Sequence, residues 1–333
     1  MNLSTIFNPV KNEMAAVETL IADYYKDTQI PVVQDMSTHL LSSAGKRVRA
    51  AILFLIFRSL AGANADPTNV IRIAGAIESI HLASLIHDDI IDEADQRRGQ
   101  ASLQSKWGPH SALVMGVYIY SISLKMISDV GNMAILDRIS DVVKQLCEGE
   151  LLQLSERYQF DLSIAEYLQV IEGKTAVLFD ATAYAGATLA GADNDKQKAM
   201  ARFGTLLGII FQITDDYLDL FSDGESLNKD AGQDLLSGEI TLPFLYLLDG
   251  LPKDTSTSIK SRVLGKDPTV LTSIQELLSA STVAEQTRIT IKRYLDEAKE
   301  QLSILNDDSY RKGLYFILDK VAERCFSSVL SPT

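Results

Sequence analysis

The sequence predicts an all-α protein, and three observations predict it. None of the eight prolines lies between residues 110 and 242. Apolar residues in that stretch recur every three or four positions, as in Phe203, Leu206, Leu207, Ile210, Ile213, Leu218 and Phe221. The closely spaced turn clusters that a sheet requires are missing.

The individual elements follow from punctuation. A helix starts near Val48 and ends at Gly62, with Asn64 just beyond. Its apolar run, Ala50 to Phe57, is flanked by Arg49 and Arg58. It is too short to span a bilayer and reads as a core helix. Asp66-Pro67 opens the next helix as a cap with proline at the first helical position. Ser163 and Glu166 have the spacing of a capping box before an apolar helix. Gly186 and Gly191 read as close helix packing, because no Gly-Lys-Ser/Thr follows to make a phosphate loop. Gly250 to Asp267 reads as a connection or weakly structured loop. No tandem repeat, low-complexity tract or composition break appears. The expectation is one domain over residues 1–333, with roughly ten or more helices at ordinary helix length.

Acids outnumber bases by 44 to 31, a formal charge of −13. That argues against a protein that coats nucleic acid, which needs a basic face. It leaves room for a small basic pocket. Two cysteines, Cys147 and Cys325, make no disulfide framework and no zinc motif. The start has no basic segment followed by an apolar one, so no signal peptide and no transmembrane segment are expected. The expectation is a cytoplasmic protein.

Two aspartate clusters carry the chemistry. Asp88, Asp89 and Asp92 form one D-D-x-x-D, and Asp215, Asp216 and Asp219 form the other. Leu82, Leu85 and Ile86 precede the first; Ile209, Ile210 and Ile213 precede the second. On a helix, positions i and i+4 share a face, so Asp88 projects with Asp92 and Asp215 with Asp219. Each pair is repulsive in an empty helix. Mg²⁺ offsets that repulsion, since it takes one or two carboxylates and completes its shell with water and substrate phosphate. Basic residues name the anion. Gly45-Lys46-Arg47-Val48-Arg49 opens a helix, where N–H groups and the helix dipole favour anions. Arg97-Arg98-Gly99 follows the first cluster, and Lys174-Thr175 and Lys229 add more cations and a hydroxyl. Together they suit a diphosphate held between metals and Lys/Arg.

With these motifs in order, the chain resembles the trans-isoprenyl diphosphate synthases, the polyprenyl synthetase family. The resemblance covers nearly the whole chain. It runs through AGKRVR (44–49), HLASLIHDDIIDEADQRRG (81–99), CEGELLQ (147–153), GKT (173–175), FQITDDYLD (211–219) and NKDAGQDLLSGEITLP (228–243). It implies a bundle of long helices around a central cavity. It implies Mg²⁺-dependent, head-to-tail condensation of an allylic diphosphate with isopentenyl diphosphate. Asp88 and Asp92, supported by Asp89, would bind Mg²⁺ on the allylic diphosphate; Asp215, and Asp216 and Asp219 with it, would bind a further one. Lys46, Arg47, His81 and Arg98 would hold the isopentenyl diphosphate. Arg97, Lys174 and Lys229 would contact the allylic diphosphate. Thr175 and Gln212 would face the reacting carbon. His87, turned away from the His81 face, receives no role.

The resemblance also bears on product length. Short-chain members often carry an aromatic residue four or five positions before the first aspartate; here those positions hold Ser84 and Ala83. Small residues imply an open tunnel and a product of C20 or longer, with Met115, Tyr118 or Tyr120 as a deeper floor. A homodimer is implied. A small regulatory partner, as in two-component synthases, is the second reading, and a class I terpene cyclase the third. The chain departs from the family pattern at Ala44, Ala50, Met115-Gly116-Val117-Tyr118, Asn228 and Glu239. Glu239 puts an acid where a lysine is usual.

Overall fold

The computed structural model describes residues 7–42, 45–221, 232–267 and 269–327. Its helices are α1 (Lys11–Lys26), α2 (Pro31–Ser42), α3 (Val48–Ala61), α4 (Thr68–Ile91), α5 (Leu103–Trp107), α6 (Pro109–Val130) and α7 (Met133–Ser155). They continue with α8 (Ile164–Ile171), α9 (Val177–Leu189), α10 (Asn194–Phe221), α11 (Gln233–Leu236) and α12 (Leu242–Gly250). The last are α13 (Lys253–Leu264), α14 (Val270–Ser279), α15 (Val283–Leu302) and α16 (Ser309–Ser327). Among the described residues the only strands are β1 (Gln96–Arg97) and β2 (Gln100–Ala101), paired antiparallel. The all-α expectation is met.

The chain forms two compact units. One comprises Met1–Val143, Ala181–Ala201 and Ile304–Leu314; the other comprises Lys144–Asp180, Arg202–Ser303 and Tyr315–Thr333. In the first, α3 is buried on every side from Ala50 to Phe57, which matches its all-round apolar sequence there. The long helices α4 and α6 lie against each other, and α1 packs on α4. Gly186 permits close packing here: a methyl there would lie 2.8 Å from the Leu53 carbonyl oxygen. Gly191 serves differently, with φ of +70° and open space around it, and allows the chain to turn after α9. In the second unit, α12 packs on α15, and Tyr246 and Thr290 share a 2.8 Å hydrogen bond.

Most predicted punctuation holds. Gly62, with φ of +88°, ends α3. The capping box of Ser163 and Glu166 opens α8 with both reciprocal bonds. Asp66 caps from one residue further out than expected, accepting from the Thr68 amide at 3.1 Å and its hydroxyl at 2.7 Å. The segment 250–267 is corrected. It contains α13, which Pro252 introduces and which buries Ile259 and Val263, one turn apart. Its Ser/Thr-rich exposed face hid that short apolar stripe.

By length and composition alone, α4 and α6 are long and apolar enough to cross a membrane. The apolar run read from the sequence, in α3, is not one of them. Residues buried within the first unit dominate α4, which also carries Glu78, Asp88 and Asp89.

Candidate active site

In the first unit, basic groups collect around His81. Arg47 stands at the N-cap of α3 with φ of +51°. Its guanidinium donates to Glu18 at 2.8 and 3.2 Å and lies 3.7 Å from Glu78. Glu78, only 4 % exposed, also accepts from the Ala50 amide at 2.9 Å. One buried carboxylate thereby satisfies an orphan amide of the helix start and anchors Arg47. Lys46 beside it is exposed. Gly45 lets the Arg98 guanidinium lie against the backbone, since a methyl there would be 2.5 Å from Arg98 Nη1.

The hairpin delivers the other arginines. Arg98 and Gly99, with φ of +53° and +76°, make the tight turn between β1 and β2. Burial, followed by Arg49, Arg98, Arg47 and Arg97, holds His81 well below the usual histidine range. Burial lowers Arg49 to about 10, with Arg98 adding to the effect. Such crowding of cations disfavours charge on His81 and Arg49 and is chemically suited to an anion.

Asp88 is half-buried and Asp92 exposed, at the C-terminal end of α4. Asp89 points elsewhere. It is 5 % exposed and accepts from Arg97 Nε at 2.8 Å, while its carbonyl accepts from Gln104 at 2.7 Å. Burial raises its carboxyl despite Arg97. Ala83 is 4 % exposed, and Ser84 is half-buried with its hydroxyl donating to the His81 carbonyl at 2.9 Å. His87 sits against Gly116 of α6, 3.3 Å from the Leu113 carbonyl oxygen. Met115 of α6 is buried, and Tyr118 and Tyr120 are half-buried.

The second unit holds the other cluster. Residues Glu172–Ala176 form a single π-helical turn between α8 and α9. Such turns recur at functional sites. This one carries Lys174 and Thr175. Lys174 Nζ lies 2.9 Å from Glu150 Oε2 and bonds Gln153 as well. Thr175 Oγ1 donates to Gln212 Oε1 at 2.9 Å, and Gln212 Nε2 donates to Asp216 Oδ1 at 2.8 Å. Tyr167 donates to the other oxygen of Asp216 at 2.6 Å. Asp216 is 3 % exposed; burial, then Asp234, push its carboxyl up, while the two donated bonds oppose them. Asp215 pairs with Arg324 of α16 at 2.7 Å. Asp219 is half-buried, and its carbonyl accepts from the Gly232 amide at 2.9 Å. Glu239 faces Arg157 at 3.9 Å, so the acid at the usual lysine position has a cation beside it. Lys229 lies outside the described residues.

The middle aspartate of each motif is thus held by protein donors, while Asp215 pairs with Arg324 and Asp92 stands at the C-cap of α4. Among the described residues no three His, Cys, Asp or Glu converge on a metal cage. The paired carboxylates fit the chemistry of Mg²⁺, which takes one or two carboxylates and draws the rest of its shell from phosphate and water. Sequence reasoning assigned no part to Glu78, Tyr167, Asp234 or Arg324. Nothing in the local sequence of Glu78, Tyr167 or Arg324 distinguishes them, whereas Asp234 lies within the 228–243 motif. Glu150 and Gln153 lay inside a quoted motif, one helical turn apart, and that spacing was the available signal.

The sequence model of the polyprenyl synthetase family matches residues 30–280. The octaprenyl diphosphate synthase of Escherichia coli (strain K12) is 33% identical over 316 residues, covering 94% of this chain and 96% of that one. Component 2 of the heptaprenyl diphosphate synthase of Geobacillus stearothermophilus is 33% identical, covering 90% of this chain and 91% of its own. Among solved structures, the polyprenyl synthase of Caulobacter crescentus CB15, complexed with calcium and isoprenyl diphosphate, superimposes with a TM-score of 0.88. It is 29% identical and covers 96% of this chain and 97% of its own.

Proposed function

Since the chain belongs to the polyprenyl synthetase family and is a prenyltransferase, we propose that it extends an allylic diphosphate with isopentenyl diphosphate to an all-trans product of C20 or longer, using Mg²⁺. The observation that carries this is the arginine-rich hairpin and α3 start around His81, set next to the i,i+4 carboxylates Asp88 and Asp92. A calcium- and diphosphate-bound relative of the same fold supports the divalent ion.

The residue roles are those that the family resemblance implies. Lys46, Arg98 and neutral His81 hold the isopentenyl diphosphate, with Arg47 bracing the loop through Glu18 and Glu78. Asp88 and Asp92, and Asp215 with Asp219, hold Mg²⁺ on the allylic diphosphate; Asp89 and Asp216 orient their neighbours. Bound Mg²⁺ supplies positive charge to the diphosphate oxygens. Arg97, Lys174 and Lys229 stabilise the leaving diphosphate as the C–O bond breaks. Thr175 and Gln212 turn oxygen dipoles toward the resulting allylic cation. The isopentenyl double bond attacks that carbon, and the proton lost from C2 passes to the released diphosphate. No side-chain nucleophile takes part. Alignment of two charged substrates supplies much of the rate.

Small residues at Ala83 and Ser84 support the long product. The exposed apolar face of α6, with Leu113 at 51%, Val114 at 67% and Val117 at 55%, supports a homodimer. The reading extends to one functional domain acting in the cytoplasm. Purified protein with Mg²⁺, labelled isopentenyl diphosphate and farnesyl diphosphate should yield elongated products, with chain length read directly. A second reading, a catalytic subunit needing a small partner, has the Geobacillus component in its favour. Silence of the protein alone, with activity on adding such a partner, would replace the first reading with it. A cyclised hydrocarbon made without consuming isopentenyl diphosphate would replace both with a cyclase.

A further inference from the structure

Within the second unit, four side chains form one continuous chain of hydrogen bonds. It runs from Tyr167 to Asp216, from Asp216 to Gln212, and from Gln212 to Thr175. Three of its features fix its direction. Asp216 receives a donor on each oxygen: the Tyr167 hydroxyl at 2.6 Å and Gln212 Nε2 at 2.8 Å. With its nitrogen on Asp216, Gln212 can present only its carbonyl oxygen to Thr175. That oxygen is an acceptor alone, so the Thr175 hydroxyl must donate to it. A hydroxyl that has given its proton away has only lone pairs left to offer.

We propose that Tyr167 is a positioning residue for the transfer: through Asp216 it sets the direction of this chain, so that Thr175 turns oxygen lone pairs rather than a proton toward the reacting carbon. The proposal rests on the reading above that Thr175 and Gln212 face that carbon. A hydroxyl proton there would oppose a developing cation; lone pairs favour it. Tyr167 is suited to the part. It is 3 % exposed and anchored in α8 beside buried Val170 and Ile171. Without its hydroxyl, one oxygen of buried Asp216 loses its donor, and the Gln212 amide loses its fixed reference. The π-helical turn at Glu172–Ala176 sets Thr175 at the far end.

The test is a double-mutant cycle with Tyr167→Phe and Thr175→Val, read as kcat and as KM for both diphosphates. Phenylalanine keeps the ring and removes only the hydroxyl. Each single change is expected to lower kcat by roughly 10- to 100-fold, the scale of misplacing a catalytic group. KM for both substrates should stay within about 2-fold, and the double variant should be no slower than the slower single one. Multiplying effects, or a change in KM alone, would overturn the proposal. Slow Thr175→Val with normal Tyr167→Phe would overturn the positioning role and leave the site reading standing. Normal Thr175→Val would overturn the site reading, and the proposal with it. Gln212→Glu probes the same chain without touching Tyr167, should Tyr167→Phe not fold. It keeps an acceptor for Thr175 but takes the donor from Asp216. A similar loss of kcat is expected, and wild-type kcat would overturn the proposal.

Discussion

Gly149 of α7 meets Gly173 of the π-helical turn backbone to backbone. A methyl on Gly149 would lie 2.6 Å from the Lys174 amide nitrogen and 2.7 Å from the Gly173 carbonyl carbon. Glu150 and Gln153, on the same part of α7, hold the Lys174 side chain. One short stretch of helix therefore docks both the backbone and the ammonium of Lys174.

Gly149→Ala tests that docking. Alanine in a helix interior normally gains up to about 1 kcal/mol over glycine. Here the clash is with backbone, which cannot swing aside, and overpacking costs about 1–3 kcal/mol. The expected sign is destabilising. Thermal unfolding should shift down, and elongation should fall by about 100-fold as Lys174 and Thr175 move. A more stable variant with normal turnover would refute the docking.

Asp89 and Asp92 should separate stability from metal use. Asp89→Ala removes the carboxylate that accepts from Arg97, and because the Arg97 side chain is 37% exposed and solvent can replace that bond, it should cost about 1 kcal/mol in denaturant unfolding. Asp92→Ala changes an exposed residue and should leave stability nearly unchanged. Its Mg²⁺ requirement for half-maximal elongation should rise by about 10-fold or more. A reversed pattern would assign the metal to Asp89.

In the proposed site Arg324 would compete with Mg²⁺ for Asp215, because its guanidinium lies 2.7 Å from that carboxylate. Arg324→Met removes the competing charge and keeps an apolar stem. Half-maximal elongation should then need a few-fold less Mg²⁺. The effect is small because both side chains are about two-fifths exposed, 41% and 38%, and solvent screens them. A higher Mg²⁺ requirement would make Arg324 a helper rather than a competitor.

His81 predicts a pH dependence of stability. Its folded-state value lies well below 6.5, driven by burial and then by four arginines. Between that lowered value and about 6.5 the unfolded chain binds a proton that the folded one does not. Stability due to this group is therefore present above about pH 6.5 and lost as pH falls toward the folded value. Unfolding of the wild type minus that of His81→Gln should be flat above that point and decline below it. Diphosphate, by countering the arginines, should flatten the decline.

The proposed control of product length is tested at two positions. Ser84, half-buried on the face shared with His81 and Asp88, should shorten the product when changed to Phe. Ala83→Phe should shorten it too, but 4 % exposure leaves little room, so it also destabilises. Unchanged chain lengths in both would dismiss this wall of the tunnel.

The helical class, α3 with its glycine stop, the α8 capping box and the paired aspartates were legible in the sequence. Each depends on residues three or four apart, and a helix turns that spacing into contact whatever surrounds it. The inward turn of Asp89 and Asp216 was not legible. It depends on Arg97, eight residues downstream in β1 and off the helix that carries Asp89, and on Tyr167, 49 residues upstream of Asp216. Helix α13 was missed because two buried residues, Ile259 and Val263, fall in a stretch that reads as polar. Sequence alone thus determined which groups carry charge and which share a helix face, since both are properties of composition and local period. Tertiary structure decided which donors hold Asp89 and Asp216 and which way Gln212 and Thr175 point. Those outcomes depend on donors brought from distant segments, and burial makes each such donor count.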